Sequence, residues 1–216
     1  LRVAAAHASG KYGDFVFDDK TLTDNASLEH FADFQWFRLT SRPVTTATFA
    51  ANFTLFGPDP LSCHLLNISI HVLAVACLFA LIQRSLTLLR PEMRRSDTLA
   101  VAAAAALVWG VHPLCTSAVT YIVQRAESLA SLGILACLLA WSKAFGDPRD
   151  SSSDNGDATP QNKPRWLWLV LAIAAAYLAY GSKEIAAGIP IIVLLYDRIF
   201  IAKSWREIAR RLPSYA

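Results

Sequence analysis

Charge is scarce in this chain. Only 17% of its 216 residues are Asp, Glu, Lys or Arg, against about 25% in an ordinary soluble domain. The shortage is local, because residues 65–82, 98–111, 129–142, 166–182 and 185–196 contain no charged side chain. Cysteine is sparse too. Cys63, Cys77, Cys115 and Cys137 stand apart in or beside apolar runs. They lack the short paired spacing of a zinc site and form no disulfide framework, so they read as small core residues. A cleavable signal peptide is missing from the start, where residues 1–8 read as the exit of a preceding helix and the chain as a fragment. No internal repeat occurs, which excludes a solenoid within these residues.

The remaining composition, 54% hydrophobic, predicts an all-α, polytopic membrane helical bundle. Several apolar runs fall short of the roughly 20 residues that cross a bilayer, and weakly polar flanks restore the length. Five spans result, at 61–83, 98–114, 120–143, 166–182 and 185–200. Basic residues collect in alternate connections: Arg84, Arg90, Arg94 and Arg95; then Lys143, Arg149, Lys163 and Arg165; then Arg198, Lys203, Arg206, Arg210 and Arg211. The intervening connections carry almost none, Lys183 excepted. That is the positive-inside pattern. It places the basic loops in the cytoplasm, including a Ser- and Asp-rich linker at 146–164 that reads as disordered. The net charge of +3 reflects topology, and no nucleic-acid partner is expected.

The same topology puts a long loop, residues 11–60, outside. It is acidic and aromatic. Phe31, Phe34 and Phe37, and again Phe49, Phe53 and Phe56, place rings on one side of a short helix, lying in the membrane interface or packed on the bundle. Near its start, Phe15-Val16-Phe17 leads into Asp18-Asp19. Two adjacent carboxylates at the mouth of a helical bundle can take a proton, hold a metal or orient a hydroxyl; a solvated turn is the plain alternative.

Ionisable groups at membrane level are costly and usually have a task. His64, Asn67 and His71 share one face of the first span, and His112 precedes Pro113 at the outer end of the second. Arg125 and Glu127 open the third, and Lys183-Glu184 forms the last outer turn. Most of these converge on the outer side, level with Asp18 and Asp19. Such a cluster suits a phosphate-bearing lipid headgroup, with Arg as a fork and Lys as a point charge. For single residues a structural role competes: Arg125 and Glu127 paired with neighbours, His71 a hydrogen-bonded interior histidine.

The order of these motifs is familiar. Phe15–Asp19, Arg42-Pro43, Cys63-His64-Leu65-Leu66-Asn67 with His71, His112-Pro113, Tyr121-Ile122-Val123-Gln124-Arg125, Lys183-Glu184 and Leu194-Leu195-Tyr196-Asp197 follow one another along the chain. Together they resemble the membrane module of the transmembrane-and-tetratricopeptide-repeat O-mannosyltransferase family, above all its bacterial members, from about Asp14 to Asp197. The resemblance implies a GT-C class glycosyltransferase using a polyprenyl-phosphate-linked sugar donor. The implied acceptor is a hydroxyl, that of Ser or Thr on an exported protein. The implied setting is a bacterial inner membrane with the site facing the periplasm. An acid of the first outer loop, here Asp18 or Asp19, becomes the catalytic base. Arg42 with the helix 44–56 borders the site, and His64, His112, Arg125, Glu127, Lys183 and Glu184 become candidates for holding the phosphate or sugar. Ser117 departs from the acid or amide of many relatives. The family's first membrane helix would lie before Leu1, and its later helices and repeats beyond Ala216. No cofactor is required, since Arg or Lys can neutralise one phosphate, although Asp18 and Asp19 could hold Mg²⁺ or Mn²⁺. A non-catalytic transporter or lipid-binding protein, or a scaffold anchoring soluble repeats, remains the alternative.

Overall fold

A computed structural model of the chain describes residues 42–146, 166–202 and 204–211, with Val3 and Ala5. Asp18, Asp19, the Phe31–Phe34–Phe37 pattern and the linker after Gly146 lie outside the described residues. Among the described residues every regular element is helical: α1 (Pro43–Phe56), α2 (Pro60–Leu89), α3 (Arg95–Gly110), α4 (Thr116–Thr120), α5 (Arg125–Phe145), α6 (Trp166–Tyr180), α7 (Ile189–Phe200) and α8 (Trp205–Arg211), with 3₁₀ turns at Pro113–Cys115, Ile122–Gln124 and Glu184–Gly188.

Local chemistry sets the boundaries. α1 stops at Gly57, whose φ of 72° suits a residue without a Cβ. Asp59 then starts α2, its carboxylate accepting from the N–H groups of Leu61 and Ser62 at 3.3 and 2.9 Å while Pro60 fills the first helical position. Pro113 forces His112 out of the helical region, to φ −64° and ψ 134°. The axis from α3 into the segment Pro113–Thr120 consequently bends by 54°.

The helices alternate in direction. Arg125 at the start of α5 meets Cys63 at the start of α2, and Arg84 near the end of α2 donates to the carbonyls of Ser142 (3.0 Å) and Gly146 at the end of α5. Those two helices are therefore parallel. α3 returns beside α2, with Gly110 against Val75, and α6 returns beside α5, with Ala175 and Ala179 against Gly133. α7 runs parallel to α2, since Ser85 Oγ and Tyr196 Oη lie 2.8 Å apart. A Cβ on Gly133 would stand 2.8 Å from Ala179 Cβ and 2.9 Å from the Ala175 carbonyl, so only glycine permits this helix approach. α6 is inside-out relative to a soluble helix. Its buried residues are Ala172, Ala175 and Ala179, while Leu171, Ile173, Tyr177 and Leu178 face outward. Small residues inside and large apolar ones outside is the arrangement lipid favours, because lipid tails solvate leucine as well as a protein core does.

α2 and the segment Ile122–Phe145 are each long and apolar enough to cross a membrane, and the bent pair α3 plus Pro113–Thr120 makes a third if counted as one span. The expected spans at 166–182 and 185–200 appear as shorter helices of 15 and 12 residues, the second of them preceded by the 3₁₀ turn Glu184–Gly188. The fold is an all-helical membrane bundle. All four cysteines are free, with Cys63 and Cys137 buried.

Candidate functional site

The end of the bundle holding the starts of α2 and α5 gathers most of the ionisable residues singled out above, and its innermost member is Arg125. This side chain is fully buried. Nε donates to Asn67 Oδ1 at 2.7 Å, Nη1 to the Thr48 carbonyl at 3.2 Å, and Nη2 to Asn52 Oδ1 at 3.1 Å and the Cys63 carbonyl at 3.3 Å. The guanidinium lies 3.9 Å above the centroid of Phe49. A planar fork bonded on its edges and stacked on its face is a use of arginine that lysine cannot copy. The two amides are fixed in turn: Asn52 Nδ2 donates to Ser62 Oγ at 2.8 Å and Asn67 Nδ2 to the Ile122 carbonyl at 3.3 Å. Arg125 therefore ties α1, α2 and α5 together. The headgroup contact expected of it meets a guanidinium turned into the bundle.

Above this node sits a charged layer. The start of α1 docks on the turn after α6, with Val44 N–H donating to the Gly181 carbonyl at 2.8 Å and Thr45 Oγ1 to the Ser182 carbonyl at 3.1 Å. That docking brings Arg42 to Glu184 in a two-pronged contact, Nε to Oε1 and Nη2 to Oε2, both 3.1 Å. Arg42 holds the Glu184 carboxyl below the usual carboxylate range. Next to it, Lys183 forms an ion pair with Glu127 in the first turn of α5, a position that favours an acid. The Arg42–Glu184 pair is open to solvent, with 41% and 61% exposure, whereas the Lys183–Glu127 pair is half-buried, at 24% and 39%. An exposed pair such as Arg42–Glu184 contributes little to stability.

Beside Glu127 opens a cavity of about 240 Å³ between α2, the broken segment after α3 and the first turns of α5. His71 and Trp109 form one wall, with ring centroids 5.3 Å apart. His71 Nε2 lies 2.9 Å from the Gly110 carbonyl, which as an acceptor requires the proton on that nitrogen.

The candidate residues thus separate. Arg42, Glu127, Lys183 and Glu184 come together at the surface. His64, Asn67 and His71 are all buried, as their shared face implied. His112 is exposed and spends Nδ1 on the Leu114 N–H at 3.2 Å. Phe49 and Phe53 pack inward, whereas Phe56 at the end of α1 is 66% exposed. Sequence reasoning passed over Asn52, an amide in an apolar, aromatic helix and a signal that α1 has a polar partner inside. Among the described residues no cluster of His, Cys, Asp or Glu could hold a metal.

The chain is 30% identical to the mouse protein "Protein O-mannosyl-transferase TMTC3" over 94% of its own length and 21% of that protein. It is 30% identical to human "Protein O-mannosyl-transferase TMTC4" over 88% of the chain and 27% of the relative, and 26% identical to human "Protein O-mannosyl-transferase TMTC1" over 86% and 21%. The chain therefore spans about a fifth to a quarter of the length of these curated relatives. No family model matches, and no solved structure matches either. Its similarity to several of these proteins across most of its length makes this chain a relative of the transmembrane-and-tetratricopeptide-repeat protein O-mannosyltransferases.

Proposed function

We propose that the chain belongs to a membrane glycosyltransferase that moves a sugar, mannose on the relatives' names, from a polyprenyl-phosphate carrier to a Ser or Thr hydroxyl of an exported protein. The observation that carries this reading is the similarity over 94% of the chain to a protein named as an O-mannosyl-transferase. The charged layer of Arg42, Glu184, Lys183 and Glu127 near the surface supports it.

In this reading the acceptor oxygen attacks the anomeric carbon while Asp18 or Asp19 takes its proton as general base. The bond from that carbon to the phosphate oxygen breaks, and the lipid phosphate leaves with the electron pair on the opposite face, inverting the centre. Developing phosphate charge needs cations. Lys183 gives one N–H to Glu127 and retains the rest of an ammonium's three donors. Arg42 stands beside it through Glu184. Arg125 acts at one remove, as a positioning residue that fixes α1, the first described helix after the aspartates along the chain.

The test uses the protein in proteoliposomes with radiolabelled polyprenyl-phosphate mannose and a Ser/Thr peptide. Labelled peptide is expected, and either Asp18→Asn or Asp19→Asn lowers transfer by about 100-fold or more without loss of insertion. Normal turnover by both variants removes the catalytic assignment. Activity lost in chelator and restored by Mn²⁺ assigns a metal to the aspartate pair in place of metal-free neutralisation.

A further inference from the structure

The cavity beside Glu127 has a lining unlike that of an ordinary gap between membrane helices. Voids in a packed apolar bundle are themselves apolar, yet this one collects Ser117, Gln124, Glu127, Ser128 and Ser131 opposite the Trp109 ring. Ser117 and Ser128 donate to the carbonyls of Leu114 and Ala118, which leaves their oxygen lone pairs as acceptors. Among the described residues the Gln124 amide and the Ser131 hydroxyl make no hydrogen bond. Glu127 is held in place by its ion pair with Lys183, so it presents a carboxylate oxygen as an acceptor at the rim. Donors, acceptors and one aromatic face in a small volume match a ring that carries several hydroxyls on its edges and C–H groups on its faces. The size agrees: about 240 Å³ lies under the roughly 300 Å³ at which drug-sized pockets begin, room for one ring.

We propose that this cavity is the sugar subsite, taking the single hexose ring of the donor, with Gln124, Ser131 and Glu127 on its hydroxyls and Trp109 against its face. The assignment rests on the donor proposed above. It places the ring next to Lys183, where the phosphate joined to it meets a cation. It also gives Ser117 a use, since a short hydroxyl there keeps the cavity open.

Direct binding to the purified protein separates the parts, with polyprenyl-phosphate mannose and bare polyprenyl phosphate as the two probes. Gln124→Ala and Ser131→Ala each remove a group that no other described residue uses. Each is expected to weaken the mannosyl lipid about three- to tenfold, the loss of one hydrogen bond, while leaving the bare phosphate lipid unchanged. Ser131→Leu, which fills the space, is expected to weaken the mannosyl lipid further with the same selectivity. Unchanged bare-lipid affinity shows that each variant is folded. If both lipids weaken in parallel, or neither does, the sugar subsite is wrong while the donor stands. If the unaltered protein binds neither lipid, the donor reading fails and takes the subsite with it.

Discussion

Replacing Arg125 with alanine tests whether this residue acts by holding helices or by touching a ligand. The truncation strips the donor from Asn67 Oδ1 and Asn52 Oδ1. Neither amide can recover by flipping, because its nitrogen already serves Ile122 or Ser62. The Thr48 and Cys63 carbonyls lie within helices and keep helical partners, so the loss is concentrated on the two amide oxygens. A buried acceptor without a donor costs about 1–3 kcal/mol, which gives roughly 2–6 kcal/mol for the pair before the lost stacking on Phe49. At about 2–4 °C per kcal/mol for a chain of this size, the melting temperature in detergent falls by roughly 5–20 °C. Lysine keeps the charge but not the fork, so Arg125→Lys is expected to fall in between. A cycle with Asn67→Leu is expected to show coupling of about 0.5–3 kcal/mol, the range for residues in one network. An Arg125→Ala protein that melts like the unaltered one yet no longer binds polyprenyl phosphate would refute the reasoning and return Arg125 to the ligand.

Three further outcomes follow from the same geometry. Gly133→Ala improves helix propensity by about 1 kcal/mol, yet its Cβ meets helix backbone and Ala179. Overpacking costs about 1–3 kcal/mol, so a lower melting temperature is expected, and a rise would show that α5 and α6 are less closely packed. Glu184, depressed by Arg42, contributes its contact fully above the ordinary carboxylate value of about 4.3 and loses it as pH falls through the lower folded value. Hydrogen exchange at Val44 N–H, relative to intrinsic rates, is therefore expected to hold steady from neutral pH down through the ordinary carboxylate range and to quicken only below it. Glu184→Gln abolishes that step; a step already at pH 6 would contradict the pairing. A cysteine introduced at Asp154 is expected to react with an impermeant maleimide only after membranes are opened, and labelling in intact cells would invert the topology.

The fold class was legible because apolar runs and basic clusters are one-dimensional signals. The charge-free run 65–82 became the middle of α2, and the alternation of Arg and Lys matched helices that alternate in direction. The start of α2 was legible within a residue, at the expected span from 61, whereas the span expected at 98–114 ran past the end of α3 at Gly110. Length was harder to read. The run 185–196 looked continuous, yet the structure divides it into a 3₁₀ turn and α7, because apolarity reports solvent and not backbone continuity. The charged residues were legible as a set but not as pairs. Nothing local distinguishes Arg125, which turns inward, from Arg42, which faces solvent. The difference depends on Asn52 and Asn67, 73 and 58 residues away along the chain. Seven-residue spacing did place His64 and His71 on one buried face, since period alone decides that.

Arg125 and the solvent-facing pairs are connected through α1, and this gives the short helix a role out of proportion to its 14 residues. Thr48, Phe49 and Asn52 hold its inner side to Arg125, while Arg42 and Val44 hold its first turn to the Gly181–Glu184 turn. The buried contacts are many, and a group lost from them leaves unpaired polar atoms in a low-dielectric interior. The surface contacts are few and cheap to exchange. α1 is thus rigid where it meets α2 and α5 and adaptable where it meets the charged layer. In the function proposed above, an anionic ligand displaces Glu184 from Arg42 without disturbing the helices beneath. That division of strength explains why a bundle of this kind tolerates ionisable side chains at both levels. The inner arginine is stabilised by amides and carbonyls fixed in the fold, and the outer cations by carboxylates near the surface.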